Sequence, residues 1–116
     1  MKSYTDLEQS KKLAKILPLS SADMCYFNSD TDKIIVRKWE DEIHDEDDTP
    51  CWSLAALYNV LPTIDDEFEP QLHRSLDKYR CTYEGEEDSS GLWRVANNPV
   101  DACVEMIEKL HELNLL

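Results

Sequence analysis

The stretch Glu40–Pro62, EDEIHDEDDTPCWSLAALYNVLP, decides how the chain is read. Seven of its first nine residues are carboxylates: Glu40, Asp41, Glu42, Asp45, Glu46, Asp47 and Asp48. The residues that follow are almost all apolar, and the break falls at Thr49-Pro50. Threonine is a good helix N-cap, and proline fits the first helical position, where its missing N–H has no intrahelical partner to lose. Leu54, Leu57, Tyr58 and Leu61 then recur at i, i+3, i+4 and i+7, so the spacing predicts a helix over 50–61 that Pro62 ends. Trp52, Ala55 and Ala56 leave this helix little polar face, which predicts a central, mostly buried element. Acids ahead of a helix start suit its positive dipole end. One or two would serve that purpose, and because of the excess the run of Glu40, Asp41, Glu42, Asp45, Glu46, Asp47 and Asp48 reads as a candidate interaction surface.

The flanking sequence supplies the other elements. Thr5 and Glu8 have capping-box spacing, Leu7, Ala14 and Leu17 share a face, and Pro18 stops a helix over 5–17. Met24–Phe27 and Lys33–Trp39 are rich in β-branched and aromatic residues around the turn-forming NSDTD, which predicts a hairpin. Gln71–Arg74, Lys78–Glu84 and Leu92–Ala96 read as further strands. At the end, Asn98 caps, Pro99 opens and Asp101 sits in the first turn. Val100, Cys103, Val104, Ile107 and Leu110 line one face of a helix over 99–113. The order predicts an α+β fold, a small antiparallel sheet of about four to five strands packed against about three helices (5–17, 50–61, 99–113). At 116 residues the chain reads as a single domain over 1–116.

Twelve basic residues against 25 acidic ones leave a net charge of −13. That balance argues against direct binding to nucleic acid phosphates or an anionic membrane, both of which require a positive footprint. It permits a basic protein partner, divalent cations, or mere solubility. The runs Glu40–Asp48, Asp65–Glu69 and Glu84–Asp88 hold 15 of the 25 acids, so the charge is gathered in three predicted loops. No apolar run reaches the length of a membrane span and the N-terminal residues lack the apolar core of a secretory signal, which predicts a cytoplasmic protein. Cys25, Cys51, Cys81 and Cys103 each lie in an apolar or periodic segment and read as buried free thiols.

Motifs for chemistry are sparse. NSDTDKIIVRKW offers Asn28, Asp30 and Asp32 like the start of a calcium loop, but Lys33 stands where the sharp turn needs glycine and Trp39 where a bidentate glutamate belongs. His44, His73 and His111 form no zincin pair, and there is no CxxC. No GxSxG is present. Cys51 draws notice as a thiol at a predicted helix N-terminus, a position that favours the thiolate, while the adjoining acids oppose it. The reading assigns no catalytic, cofactor-binding or metal-ligating residues and no cofactor. Trp52 reads as core; Trp39 and Trp93, at strand ends, could serve as interface anchors, although core or sheet-edge packing is the commoner fate of such residues.

Three segments together resemble small uncharacterised proteins of gut Bacteroidales that are often carried on phages or integrated elements. They are TDLEQSKKLAKILPLSSADMCYF (Thr5–Phe27), TPCWSLAALYNVLP (Thr49–Pro62) and NPVDACVEMIEKLHELNLL (Asn98–Leu116). The resemblance spans most of the chain, and the acidic run is not part of it. It implies a compact cytoplasmic domain of mobile-element origin, from a family without established activity, and carries over no site residues. The expectation is a non-enzymatic protein–protein interaction module, possible as a phage or mobile-element accessory factor. The alternative is an acidic inhibitor, or DNA mimic, directed at a basic nucleic-acid-binding host protein.

Overall fold

A computed structural model describes residues 1–29, 32–39, 44, 46–84 and 92–116. The chain divides into two units, one of Ser3–Val60 and one of Leu61–Leu116 with Met1–Lys2. The first holds helix α1 (Leu7–Leu13), strands β1 (Met24–Tyr26), β2 (Ile34–Ile35) and β3 (Thr49–Cys51), and helix α2 (Leu54–Val60). The second holds strands β4 (Glu69–Ser75), β5 (Lys78–Glu84) and β6 (Trp93–Ala96), and helix α3 (Pro99–Glu112). The fold is α+β. The expectation of one sheet with four to five strands is not met, because the described strands form two three-stranded antiparallel sheets, β2-β1-β3 and β4-β5-β6.

In the first unit, the predicted hairpin is present but short, with Cys25 opposite Ile35 and Tyr26 opposite Ile34. The helix start expected at Thr49-Pro50 is instead β3, paired so that Met24 faces Cys51 and Tyr26 faces Thr49. Proline is tolerated there because β3 lies at the edge of its sheet, where a missing N–H need not break a ladder. Helix α2 begins four residues later than the predicted span, at Leu54. Ser53 Oγ accepts the Ala56 N–H at 3.2 Å, and the Asp23 carboxylate holds Ser53 through its N–H (2.8 Å) and its hydroxyl. Ala56 and Leu57 are buried while Ala55, Tyr58 and Asn59 are exposed, so α2 is amphipathic and not buried all round.

Helix α1 is also displaced from expectation. Its N-cap is Asp6, which accepts the Gln9 N–H at 2.8 Å, while the Gln9 side chain accepts the Asp6 N–H at 3.1 Å. Thr5, expected as the cap, is fully buried. Its hydroxyl accepts the Trp52 N–H at 3.2 Å and lies 2.7 Å from Ser10 Oγ. Met24, Tyr26 and Cys51 form a buried cluster lined by Tyr4, Leu7 and Ile34. Trp52 is buried as expected and donates its indole N–H to Ser21 Oγ at 2.9 Å.

In the second unit, α3 matches its sequence signals. Asn98 Oδ1 accepts the Asp101 N–H at 2.8 Å, and Asp101 is bridged by Lys2 at 2.8 Å. Val100, Cys103, Val104, Ile107 and Leu110 are buried, and α3 packs on β5 and β6. Strand alternation then sorts the sheet. Cys81, in hydrogen-bonding reach of Cys103, marks the face under α3. Arg80, paired with Val95 and His73, and Trp93, paired with Thr82, belong to the opposite face.

Candidate functional site

The acidic run was the candidate surface from sequence, and the structure treats its members differently. Glu40, Asp41, Glu42 and Asp45 lie outside the described residues. Glu46 and Asp47 are exposed in the turn before β3. Asp48 is turned inward, its side chain only 2% exposed. Its Oδ1 accepts the backbone N–H of Asn28 at 2.8 Å, and Asn28 takes the left-handed conformation (φ 53°) that asparagine tolerates. A carboxylate held this way is not available to a partner.

Asp48 shares its pocket with His44 and Cys25. His44 Nδ1 lies 3.5 Å from Asp48 Oδ2 and 3.7 Å from Cys25 Sγ, and the three donor atoms all fall within 4.8 Å of one another. The imidazole stacks flat on the Trp39 indole, with centroids 3.4 Å apart and planes 4° from parallel. Its Nε2 is hydrogen-bonded to the Trp39 carbonyl. A carbonyl only accepts, so Nε2 carries a proton. Trp39 is itself fixed, its N–H donating to the Ala22 carbonyl at 3.1 Å. Trp39, read from sequence as a possible interface anchor, thus serves as a platform for His44. Sequence reasoning did not join these three residues. The i, i+4 spacing of His44 and Asp48 is the one local signal, whereas Cys25 lies 19 residues before His44 and arrives only through the fold.

The Cys51 thiol, noted for a helix N-terminus, instead sits in β3, fully buried. Burial pushes it above its ordinary value, against the hydrogen bonds from Thr5 and Ser10 that act the other way. A buried thiol held in its protonated form is a poor nucleophile. Cys103 is likewise driven up, first by its hydrogen bond to Cys81 and then by burial. All four cysteines are free and buried.

The second unit presents a different feature. On the β4-β5-β6 face away from α3, Trp93 is 48% exposed and Val95 42% exposed. The Arg80 guanidinium lies over the Trp93 ring, 5.5 Å from its centroid. His73, on the same face, is bonded to Gln71 at 2.9 Å. Leu76 stands at the β4–β5 turn, 90% exposed. Of the two tryptophans marked as possible anchors, Trp93 is the one the fold leaves accessible.

Among the described residues no helix is long and apolar enough to cross a membrane. Comparison with protein-family models, with curated proteins and with solved structures finds no match to this chain.

Proposed function

We propose that this chain is a small non-enzymatic interaction module of the cytoplasm that binds a protein partner through the outer face of its β4-β5-β6 sheet. The mobile-element origin implied by the sequence resemblance belongs to this reading. The observation that supports it is the grouping of Trp93, Val95 and Arg80 on one accessible sheet face. Tryptophan and arginine are the residue types that most often dominate binding energy at interfaces. An indole left half in solvent, with a cation stacked on it, supplies an apolar centre with a polar rim. The net charge of −13 favours a partner with a basic rim.

The test is affinity capture from host lysate with four baits: wild type, Trp93→Ala, Arg80→Glu, and a chain with the Glu40–Asp48 carboxylates neutralised to amides. The reading expects one partner retained by wild type and by the neutralised chain, and lost from Trp93→Ala and Arg80→Glu. Loss from the neutralised chain alone, with salt-sensitive capture by wild type, would replace it with the acidic-inhibitor reading. Capture that ignores all the substitutions, or no specific capture by wild type, would contradict both.

A further inference from the structure

The donor atoms of the Cys25–His44–Asp48 cluster all lie within 4.8 Å of one another, and two of their separations are those kept by co-ligands of a single ion, although Cys25 Sγ also donates to the Tyr26 carbonyl at 3.6 Å. A charge-assisted imidazole–carboxylate hydrogen bond closes to roughly 2.7–2.9 Å. Here His44 Nδ1 and Asp48 Oδ2 are 3.5 Å apart, and Cys25 Sγ is 3.7 Å from the same nitrogen. Zinc holds thiolate sulfur at about 2.3 Å, and imidazole nitrogen or carboxylate oxygen at about 2.0–2.2 Å, in a tetrahedron. Ligands at those lengths and the tetrahedral angle lie roughly 3.6 Å apart for sulfur and nitrogen, and roughly 3.4 Å apart for nitrogen and oxygen. Both observed edges agree with these values.

The surroundings of the three donors point the same way. Metal-bound histidines usually donate their second ring N–H to a carbonyl or carboxylate, which fixes the tautomer and aims the free nitrogen. His44 does this through Nε2 to the Trp39 carbonyl, and the indole beneath it sets the ring plane. Asp48 is fixed through Oδ1, which accepts the Asn28 N–H, while its Oδ2 lies on the His44 side of the cluster. Cys25 comes from β1, the central strand, and is fully buried. A thiolate in the set selects zinc over magnesium or calcium, which take oxygen ligands.

We propose that Cys25 Sγ, His44 Nδ1 and Asp48 Oδ2 bind one zinc ion, which ties the segment leading into β3 to strand β1. The fourth position falls to a water molecule. The side chains of His44 and Asp48 are 12% and 2% exposed, so the site is largely shielded from solvent. Binding replaces the thiol proton, so Zn²⁺ and Cys25–SH give a zinc thiolate and one released proton. Affinity therefore falls as the pH is lowered.

The test uses the full chain, reduced and stripped with a chelator. It is titrated with Zn²⁺ alone, desalted, and its zinc content measured; a parallel sample is titrated with Co²⁺. Wild type and the exposed-site control His111→Gln are expected to retain about one zinc per chain. Cys25→Ser and His44→Gln are expected to bind at least about 100-fold more weakly, ligand loss costing more than loss of an outer-shell partner. The Co²⁺ form of wild type is expected to show a near-ultraviolet thiolate-to-cobalt band. That measurement on wild type does not depend on any variant folding. Absence of the band, sub-stoichiometric zinc on wild type, or undiminished zinc on Cys25→Ser would each overturn the site.

Discussion

Leu76 occupies a position that its own chemistry disfavours. It lies in the two-residue turn between Ser75 and Lys78 with φ 56°, a conformation in which a Cβ meets the following carbonyl. Glycine is the usual residue at such a first turn position. Leu76→Gly should therefore raise stability by roughly 1 kcal/mol, the left-handed penalty less the entropy glycine adds to the unfolded chain. A denaturant midpoint that fell would show that Leu76 makes compensating contacts. Strain kept at an exposed apolar side chain is the kind of outlier that motivates a functional reading, and it sits on the sheet assigned to binding. Tyr26 offers a second residue-scale prediction. Burial first, and the neighbouring Cys51 next, push its phenol above its ordinary value of 10.0, and its hydroxyl donates to the Thr5 carbonyl at 2.8 Å. Burial likewise raises Cys51 above 9.0. A group that holds its proton more tightly when folded contributes its full stability below the unfolded value and loses it as the pH climbs beyond. The melting temperature should thus be flat up to about pH 9 and fall above it, and Tyr26→Phe should make that fall shallower. An unchanged alkaline slope in Tyr26→Phe would remove Tyr26 from the account.

At the scale of elements, the sequence was most legible where several signals agreed and no other structure satisfied them. Helix α3 carried a cap, a proline, a first-turn acid and a continuous apolar face, and all four are used. Thr49-Pro50 was ambiguous because a cap followed by proline and an edge-strand proline read alike without the partner strand. Here β1 supplies that partner, and the helix start passes to Ser53. Ser53→Ala should accordingly cost about 1 kcal/mol, and Asp23→Ala a comparable amount, because each removes a member of the α2 cap. Urea midpoints would check this. A neutral Ser53→Ala would mean that α2 is held by packing alone. The shift of the α1 cap from Thr5 to Asp6 has a similar cause: Thr5 is drawn inside by Trp52 and Ser10, a demand set by distant residues. The Cys25–His44–Asp48 cluster was only partly legible for the same reason: His44 and Asp48 lie i, i+4, whereas Cys25, 19 residues before His44, is brought in by the fold.

For the whole molecule, the division into two three-stranded sheets separates two kinds of feature. The first unit holds an inward cluster of sulfur, nitrogen and oxygen donors, built on strand β1 and the approach to β3. The second holds an accessible aromatic and cationic face on a sheet whose other side is covered by α3. The acidic run that dominates the sequence is not uniform, since Asp48 is consumed internally while Glu46 and Asp47 remain exposed. The central claim is that binding belongs to the Trp93 face. Amide hydrogen exchange of the chain, alone and with its captured partner, tests it most directly. The account predicts slowed exchange in peptides covering 72–80 and 93–96, with little change over 46–48. Protection confined to the acidic segment, with 93–96 unaffected, would contradict it.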